Sequence, residues 1–218
     1  MNFSVPLASG RDADVFPIDA DRVLRRYRDG GDVAAEAAVM VYLAECGFPV
    51  PTVYQAAGAD LVMERLDGPT LLAALCATAI EVSSAAVLLA DLHRRLHQVP
   101  ARLSGNPADR VLHLDLHPDN VLLGREGPVV IDWRNTDEGP PDLDVAMTAL
   151  IMAQVAVGEV VDLAAIAAAL LPAFLKEVDG QPLRQLDHAL AIRRADPNLT
   201  PREVEDLTRA GTFVRESV

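Results

Sequence analysis

The chain has 218 residues, a formal net charge of −13 and a composition that is half hydrophobic. Such a composition argues against disorder, and the length suffices for one compact domain with its own core or for two lobes that share a cleft. The acidity disfavours nucleic acids and anionic membranes as partners. The N-terminal segment lacks the pattern of a signal peptide, and neither Cys46 nor Cys76 lies in a metal-binding spacing. We therefore expect a cytoplasmic protein with two small, buried cysteines.

Short strands and one helix are predicted for the first 66 residues. The helix covers Val33–Cys46, with Asp32 as its cap and Gly47 as its stop. Turn signals separate the apolar runs that predict the strands. These strands lie at 3–8, 14–16, 22–27, 52–57 and 60–66.

Helices dominate the remainder of the chain. The predicted helices are 69–78, 80–98, 142–158, 162–175, 182–194 and 201–215. The last of these starts with a capping box in which Thr200 is the cap and Glu203 the third residue. The chain is therefore predicted to be an α+β protein with a strand-rich lobe (1–66), a connector near Glu64–Gly68 and a helical lobe (67–218), with a cleft between the lobes.

A predicted β-hairpin interrupts the helices. Val121–Leu123 and Pro128–Ile131 are short apolar strands joined by a tight turn. Asn120 precedes the first strand and Asp132 follows the second, so the hairpin is expected to bring an amide oxygen and a carboxylate together. Oxygen ligands of this kind suit Mg²⁺ that is also bound by phosphates.

A second carboxylate, Asp115, lies five residues before Asn120. Phosphoryl transfer requires a metal and a cation on the phosphates, and a carboxylate that orients and deprotonates the attacking hydroxyl. Asp115 is placed for the last of these tasks. Each acidic residue taken alone is more simply explained as a turn residue, but the combined spacing favours a catalytic site.

The segment His113–Asn120, with the sequence HLDLHPDN, resembles the catalytic loop of the aminoglycoside phosphotransferase family. Ile131-Asp132-Trp133 is similar to the family's metal-binding motif, and 140–146 is similar to the segment that follows it. The resemblance covers roughly residues 7–150 and departs from the family pattern at Leu114 and Asp119, where glycine is usual or frequent. It implies a protein-kinase-like, two-lobed fold and an ATP- or GTP-dependent small-molecule kinase.

The resemblance also implies roles for individual residues. Asp115 would be the catalytic base, and His113 would brace its loop by hydrogen bonding. Asn120 and Asp132 would hold Mg²⁺. Asp144 would brace the loop from its other side.

In the N-terminal lobe the resemblance implies a nucleotide site. Gly10 lies in a reduced phosphate-covering loop (residues 9–13), and Arg25 occupies the position of the phosphate-binding lysine. Strand alternation directs the neighbouring Arg26 to the opposite face. Glu36 lies on the helix face of Met40, where a carboxylate needs a partner, and Arg25 can supply it.

The hinge that binds the nucleotide base is placed by the same resemblance. Met63 would back the purine, and the backbones of Glu64 and Leu66 would form hydrogen bonds with it. Backbone contacts leave no side-chain signature, so this assignment depends on position along the chain.

The acceptor is predicted to be a hydroxylated small molecule. Only about ten residues separate Asp132 from the helix near Asp142, and the Ala-Pro-Glu anchor of protein kinases is missing. The interval 66–113 is also short, so the acceptor site is expected to be open, walled differently or completed by a second subunit in a homodimer. Acidic residues in the last helices slightly favour a cationic acceptor; they are Glu159, Asp162, Glu177 and Asp179.

Two other functions remain open at this stage. One is a compact atypical protein kinase, which Trp133 in place of Phe-Gly disfavours. The other is a non-catalytic nucleotide-binding scaffold, although the three reacting residues are present. His93 and His97 have the spacing of metal ligands on a helix, but no third ligand accompanies them in the sequence, so zinc is not expected.

Overall fold

The computed structural model describes residues 5–10 and 12–218. The predicted strand at 3–8 and the predicted loop at 9–13 therefore include residues outside the described part, namely Phe3, Ser4 and Arg11. Two compact units are present. The first comprises 1–69 and 122–136, and the second comprises 70–121 and 137–218. The segment 122–136, which contains most of the hairpin, belongs to the first unit. The predicted division into lobes 1–66 and 67–218 stays a prediction.

The first unit is built on an antiparallel five-stranded sheet with the strand order β1-β2-β3-β5-β4. One helix, α1, and the hairpin strands β7 and β8 complete its regular structure. The bounds are β1 Ala8–Ser9, β2 Ala13–Pro17, β3 Arg22–Tyr27, α1 Ala34–Glu45, β4 Val53–Ala57, β5 Asp60–Glu64, β7 Val121–Gly124 and β8 Gly127–Val130.

Helix α1 begins and ends where the local residues require it. The Asp32 carboxylate accepts a hydrogen bond from the Ala34 amide at 2.9 Å, which satisfies one of the free amides of the first turn. Gly47 has φ +77°, a conformation that glycine adopts without steric cost. The predicted helix and its Gly47 stop are thus confirmed, with bounds one residue shorter at each end. The prediction of Asp32 as the cap is wrong, because Val33 occupies the N-cap position and its side chain forms no capping hydrogen bond.

The second unit is mainly helical. Its elements are α2 Leu71–Cys76, α3 Val82–Leu96, β6 Arg110–Leu112, β9 Asp137–Gly139, α4 Pro141–Ala156, α5 Val161–Glu177, α6 Leu186–Ala195 and α7 Pro201–Glu216. The residues of α4 are buried continuously from Leu143 to Ala153, as expected for an apolar helix that packs on α5, α6 and α7. The capping box of α7 is present as predicted.

The sequence predictions differ from the structure for two short strands and for the burial of the two cysteines. Strands β6 and β9 pair in antiparallel register but were not expected, since three-residue strands show no clear alternation. The two cysteines are exposed rather than buried, because Cys46 caps the end of α1 and Cys76 is the last residue of α2. Within the described residues, no helix has the length and apolar character needed to cross a membrane.

Candidate active site

The loop that follows β6, His113–Asn120, is here called the Asp115 loop. His113 is fully buried, and its Nδ1 accepts a hydrogen bond from the backbone amide of Asp115 at 3.2 Å. A buried imidazole that accepts this bond restricts the backbone on which the Asp115 side chain is carried. The brace implied for His113 by the resemblance is consistent with this contact.

The polar side chains of the loop converge on Asp115. The Asn120 amide nitrogen donates to the Asp115 carbonyl oxygen at 2.9 Å and lies 3.4 Å from its Oδ2. His117 Nε2 lies 3.8 Å from Asp115 Oδ1. Burial lowers the pKa of His117, which favours the neutral imidazole. The motif contained His117, but sequence reasoning assigned it no role.

Helix α4 holds the Asp115 loop from the interior. Asp144, which is fully buried, accepts a hydrogen bond from the Leu114 amide on its Oδ1 at 2.7 Å. Thr148, one turn later, donates from its hydroxyl to the Leu116 carbonyl at 2.8 Å. Both backbone neighbours of Asp115 are therefore fixed to the same helix. The resemblance implied the contribution of Asp144, whereas Thr148 carries no sequence signal for its contact.

Leu114 adopts φ +59°, a left-handed conformation that costs a residue with a Cβ about 1–2 kcal/mol. This explains in physical terms why glycine is usual at the corresponding position of the family pattern. The strain is maintained because the Leu114 amide is held by Asp144.

Removal of this strain is testable. The Leu114→Gly variant is expected to be more stable than Leu114→Ala by about 1 kcal/mol, since only glycine adopts the left-handed conformation freely. Urea denaturation of both variants measures the difference. Leu103 is exposed and its φ is not positive, so it serves as the control position. There the glycine variant should be less stable than the alanine variant or equally stable. Equal behaviour at the two positions would contradict the assignment of strain.

The first unit assembles a buried ionic network around Arg25. Arg25 Nη1 donates to Glu36 Oε1 at 2.6 Å, and Arg25 Nη2 donates to Asp132 Oδ1 at 2.5 Å. Tyr27 donates its hydroxyl to the other Glu36 oxygen at 2.5 Å. Arg26 faces the opposite side and forms an exposed, bidentate pair with Asp60. The predicted pairing of Arg25, rather than Arg26, with Glu36 is confirmed.

Burial and neighbouring charges act in opposite directions on the pKa of Arg25. Burial alone would lower the pKa of Arg25, but the charges of Asp132 and Glu36 outweigh it and raise the pKa further above its usual range. Burial also raises the pKa of the Tyr27 phenol, so it remains a donor to Glu36. Tyr27 was missed by sequence reasoning, although the alternation of β3 places it on the same strand face as Arg25.

Asp132 has φ +66° and directs its carboxylate, which is 41% exposed, to Arg25. The next residue, Trp133, is buried and anchors this turn. Its indole nitrogen donates to the Val130 carbonyl at 3.0 Å, and its ring packs edge-on against Phe48 at 5.7 Å. The partly exposed carboxylate of Asp132 is therefore held in place by the packing of Trp133. Asn120 belongs to the other unit, so the metal site predicted for this pair stays a prediction.

The remaining predicted nucleotide contacts are backbone positions in the first unit. The Glu64 amide already donates to the Thr52 carbonyl at 2.8 Å, so a base at this position would have to use the Glu64 carbonyl. Met63 and Leu66 are half-buried. The Gly10 amide donates to the Ala13 carbonyl at 2.9 Å, which engages it in a turn rather than leaving it directed at a ligand.

One unit thus has an antiparallel sheet with a single helix and an Arg–Glu pair, and the other has a helix-braced loop that carries the Asp115 carboxylate. These features define the protein-kinase-like fold of small-molecule kinases. The sequence profile of the phosphotransferase enzyme family (APH) matches residues 4–110 and 101–186. The chain belongs to this family and is a phosphotransferase.

Solved structures share the fold at low sequence identity. Aminoglycoside phosphotransferase APH(2″)-IIa, solved with streptomycin and ATP, is 15% identical with a TM-score of 0.60, and the match covers 96% of this chain and 93% of that one. A choline/ethanolamine kinase family protein from Mesorhizobium loti is 14% identical, with a TM-score of 0.61 and coverage of 97% and 88%. Aminoglycoside-3′-phosphotransferase of type VIII is 19% identical, with a TM-score of 0.56 and coverage of 98% and 92%. No curated protein matches the sequence.

Proposed function

We propose that this phosphotransferase moves the γ-phosphate of ATP or GTP directly to a hydroxyl of a small molecule, with Mg²⁺ as the metal. The observation that carries the proposal is the Asp115 loop. Its carboxylate is partly exposed, while the backbone on both sides is fixed by Asp144 and Thr148. Such preorganisation is what positioning of an attacking hydroxyl requires.

Asp115 is proposed to orient the acceptor hydroxyl and to take its proton as the oxygen–phosphorus bond forms. The nucleotide diphosphate leaves in line from the opposite side, and no phosphoenzyme forms. The hydrogen bond from Asn120 to the Asp115 carbonyl oxygen limits movement of the loop during this step.

Asn120 and Asp132 are proposed to supply oxygen ligands for the magnesium ion. The amide nitrogen of Asn120 is engaged with Asp115, which leaves its oxygen as the atom available to a cation. The carboxylate of Asp132 is partly exposed. These donors fit a hard divalent ion that also binds phosphates. When bound, the ion would neutralise charge on the phosphate oxygens.

Arg25 is proposed to bind the nucleotide phosphates. Its guanidinium is oriented by Glu36 on one side and shared with Asp132 on the other. A phosphate that reaches Arg25 would compete with Asp132 for Nη2 and so leave the Asp132 carboxylate available for the metal. The Glu64 carbonyl and the Leu66 amide are proposed to bind the base, with Met63 behind it and Gly10 near the phosphates.

The acceptor class is proposed from the short segment after Asp132 and from the family. Complexes of APH(2″)-IIa with gentamicin and with streptomycin support an amino-sugar antibiotic, and the choline/ethanolamine kinase family relative supports an amino alcohol. The acidic residues that favoured a cationic acceptor in the sequence give weaker support in the structure, because two of them are paired with arginines. Glu159 pairs with Arg202 at 2.5 Å, and Asp179 pairs with Arg94 at 3.1 Å. A homodimer that completes the acceptor site stays a prediction.

A product assay tests the proposal. The protein is incubated with Mg²⁺ and either ATP or GTP in the presence of aminoglycosides, amino alcohols or sugars. Mass spectrometry is expected to detect one phosphorylated small molecule. If only protein is phosphorylated, the compact protein kinase is the better interpretation. Absence of both acceptor phosphorylation and Mg²⁺-dependent nucleotide hydrolysis would favour the non-catalytic scaffold.

The metal assignment has its own test in Asp132→Ala. This variant is expected to lose the Mg²⁺-dependent part of nucleotide affinity, because the metal loses a charged ligand. Titration calorimetry with and without Mg²⁺ measures this difference. Asp137→Ala, which removes an exposed acid five residues later, is the control and should keep the full magnesium effect. An unchanged magnesium effect in Asp132→Ala would show that the assignment is wrong.

A further inference from the structure

Two histidines of α3 and one aspartate of α4 form a compact cluster inside the second unit. His93, His97 and Asp144 each offer one ligand atom, and these atoms lie within 4.8 Å of one another. Asp144 Oδ2 lies 3.1 Å from His97 Nε2 and 3.6 Å from His93 Nδ1. The spacing of the two histidines was visible in the sequence, whereas the third group comes from a helix 47 residues later than His97.

Hydrogen-bond polarity fixes the tautomer of His93. The Thr148 hydroxyl has one hydrogen, and it donates this to the Leu116 carbonyl at 2.8 Å. Thr148 must therefore accept from His93 Nε2, which lies 3.1 Å away. His93 Nε2 carries the hydrogen, and the Nδ1 of the neutral ring carries a lone pair.

The lone pair on His93 Nδ1 is buried without a hydrogen-bond donor beside it in the described part of the chain. His93 is almost completely buried, and its Nδ1 has no hydrogen-bond partner among the described residues. The atom nearest to it in the cluster is the carboxylate oxygen Asp144 Oδ2, which is also an acceptor. Two acceptors that face each other in the interior are costly unless a cation lies between them.

We propose that His93 Nδ1, His97 Nε2 and Asp144 Oδ2 bind a divalent transition-metal ion of the zinc type. Zinc binds imidazole nitrogen and carboxylate oxygen at about 2.0–2.2 Å, so neighbouring ligand atoms of a tetrahedral site are about 3.4 Å apart. The two distances from Asp144 Oδ2 lie close to this value. Two imidazole ligands favour zinc, cobalt or nickel over magnesium or calcium.

The surroundings provide access and an outer shell for such an ion. A cavity of about 160 Å³ is lined by His93, His97 and Asp142, among others, and offers space for a water as the fourth ligand. Arg94 also lines this cavity, but its charge is paired with Asp91 and Asp179.

The second oxygen of Asp144 is held by the Leu114 amide, and the second nitrogen of His93 is held by Thr148. Hydrogen bonds of this kind orient metal ligands. Because the same two residues fix the Asp115 loop, the ion would join α3 to the helix that supports this loop. The ion is thus a structural clamp, distinct from the magnesium proposed with the nucleotide, and its binding can be measured without nucleotide or acceptor.

Cobalt and zinc binding to the metal-free, full-length protein test the proposal. One Co²⁺ per chain is expected, with the intense visible absorption of a four-coordinate site, and one equivalent of Zn²⁺ should displace it. His97→Ala should weaken binding by more than about 100-fold, because loss of even an outer partner of a ligand costs about 10- to 100-fold. His188→Ala, which removes an exposed histidine of α6, should bind as the parent does.

The parent protein alone can overturn the proposal, so a variant that fails to fold does not leave it untested. X-ray absorption of the zinc-loaded parent is expected to show two imidazole ligands and oxygen ligands. Absence of saturable binding to the parent protein would overturn the proposal. Binding that is lost in His188→Ala but retained in His97→Ala would place the metal on the surface and equally overturn the proposal.

Discussion

Asp115→Asn is expected to lower turnover of the identified acceptor by about 100- to 10,000-fold, the range typical of a lost general base. The amide keeps the size of the carboxylate and can still accept hydrogen bonds, but it cannot take the proton of the acceptor. Nucleotide affinity should be unchanged, because Asp115 is proposed to contact the acceptor. Steady-state kinetics and nucleotide titration of the same preparation measure both quantities.

Asp119→Asn is the matched control for this substitution. Asp119 lies in the same loop, is exposed, and accepts a hydrogen bond from the Thr70 hydroxyl at 2.8 Å that an asparagine oxygen can also accept. It should therefore retain turnover. Full activity of Asp115→Asn would exclude Asp115 as the base. Similar losses in both variants would indicate that the loop tolerates no change of charge, which is a structural explanation.

Arg25→Ala is expected to lower the free energy of unfolding by about 3–5 kcal/mol, as when one partner of a buried ion pair is removed. The cost arises because Glu36 is nearly inaccessible to solvent and would lose its compensating charge. Tyr27 would remain as a donor to Glu36, but a neutral hydroxyl does not balance a carboxylate. Urea denaturation at neutral pH measures the change.

The adjacent Arg26→Ala separates burial from the mere presence of an ion pair. Arg26 forms two hydrogen bonds of 2.6 Å with Asp60, as short as the bond from Arg25 to Glu36, but both side chains of this pair are substantially exposed. Exposed pairs contribute about 0–1 kcal/mol, and Arg26→Ala should lose no more than this. Equal losses in the two variants would contradict the special contribution of the buried network.

The same network links folding to the proposed chemistry. Arg25 is attracted by Glu36 and Asp132 together, and this arrangement holds the guanidinium in one orientation before any ligand binds. A group that is already oriented loses less conformational entropy on binding phosphate. The expected loss of stability in Arg25→Ala would therefore be accompanied by weaker nucleotide binding in the fraction that remains folded.

Local sequence patterns determined much of the fold. The six residues of β3 were predicted with correct bounds, and the Gly47 stop of α1 and the capping box of α7 were confirmed. These features depend on neighbours within a few residues, through strand alternation, capping and glycine conformation. The Arg25–Glu36 pair was also predicted. The family resemblance selected Arg25, strand alternation directed Arg26 to the opposite face, and helical spacing placed Glu36 on a packed face that requires a partner.

Contacts between distant segments were decided by the tertiary structure. Three such features lie where α3 and α4 pack beside the Asp115 loop. They are the cluster of His93, His97 and Asp144, the hydrogen bond from Thr148 to Leu116, and the left-handed conformation of Leu114. The exposure of both cysteines was likewise settled by where the helices end. Local patterns encode which face of an element is buried, but they do not encode which residues of another element meet that face. The physical reason is that packing selects partners by shape and hydrogen bonding across the whole chain.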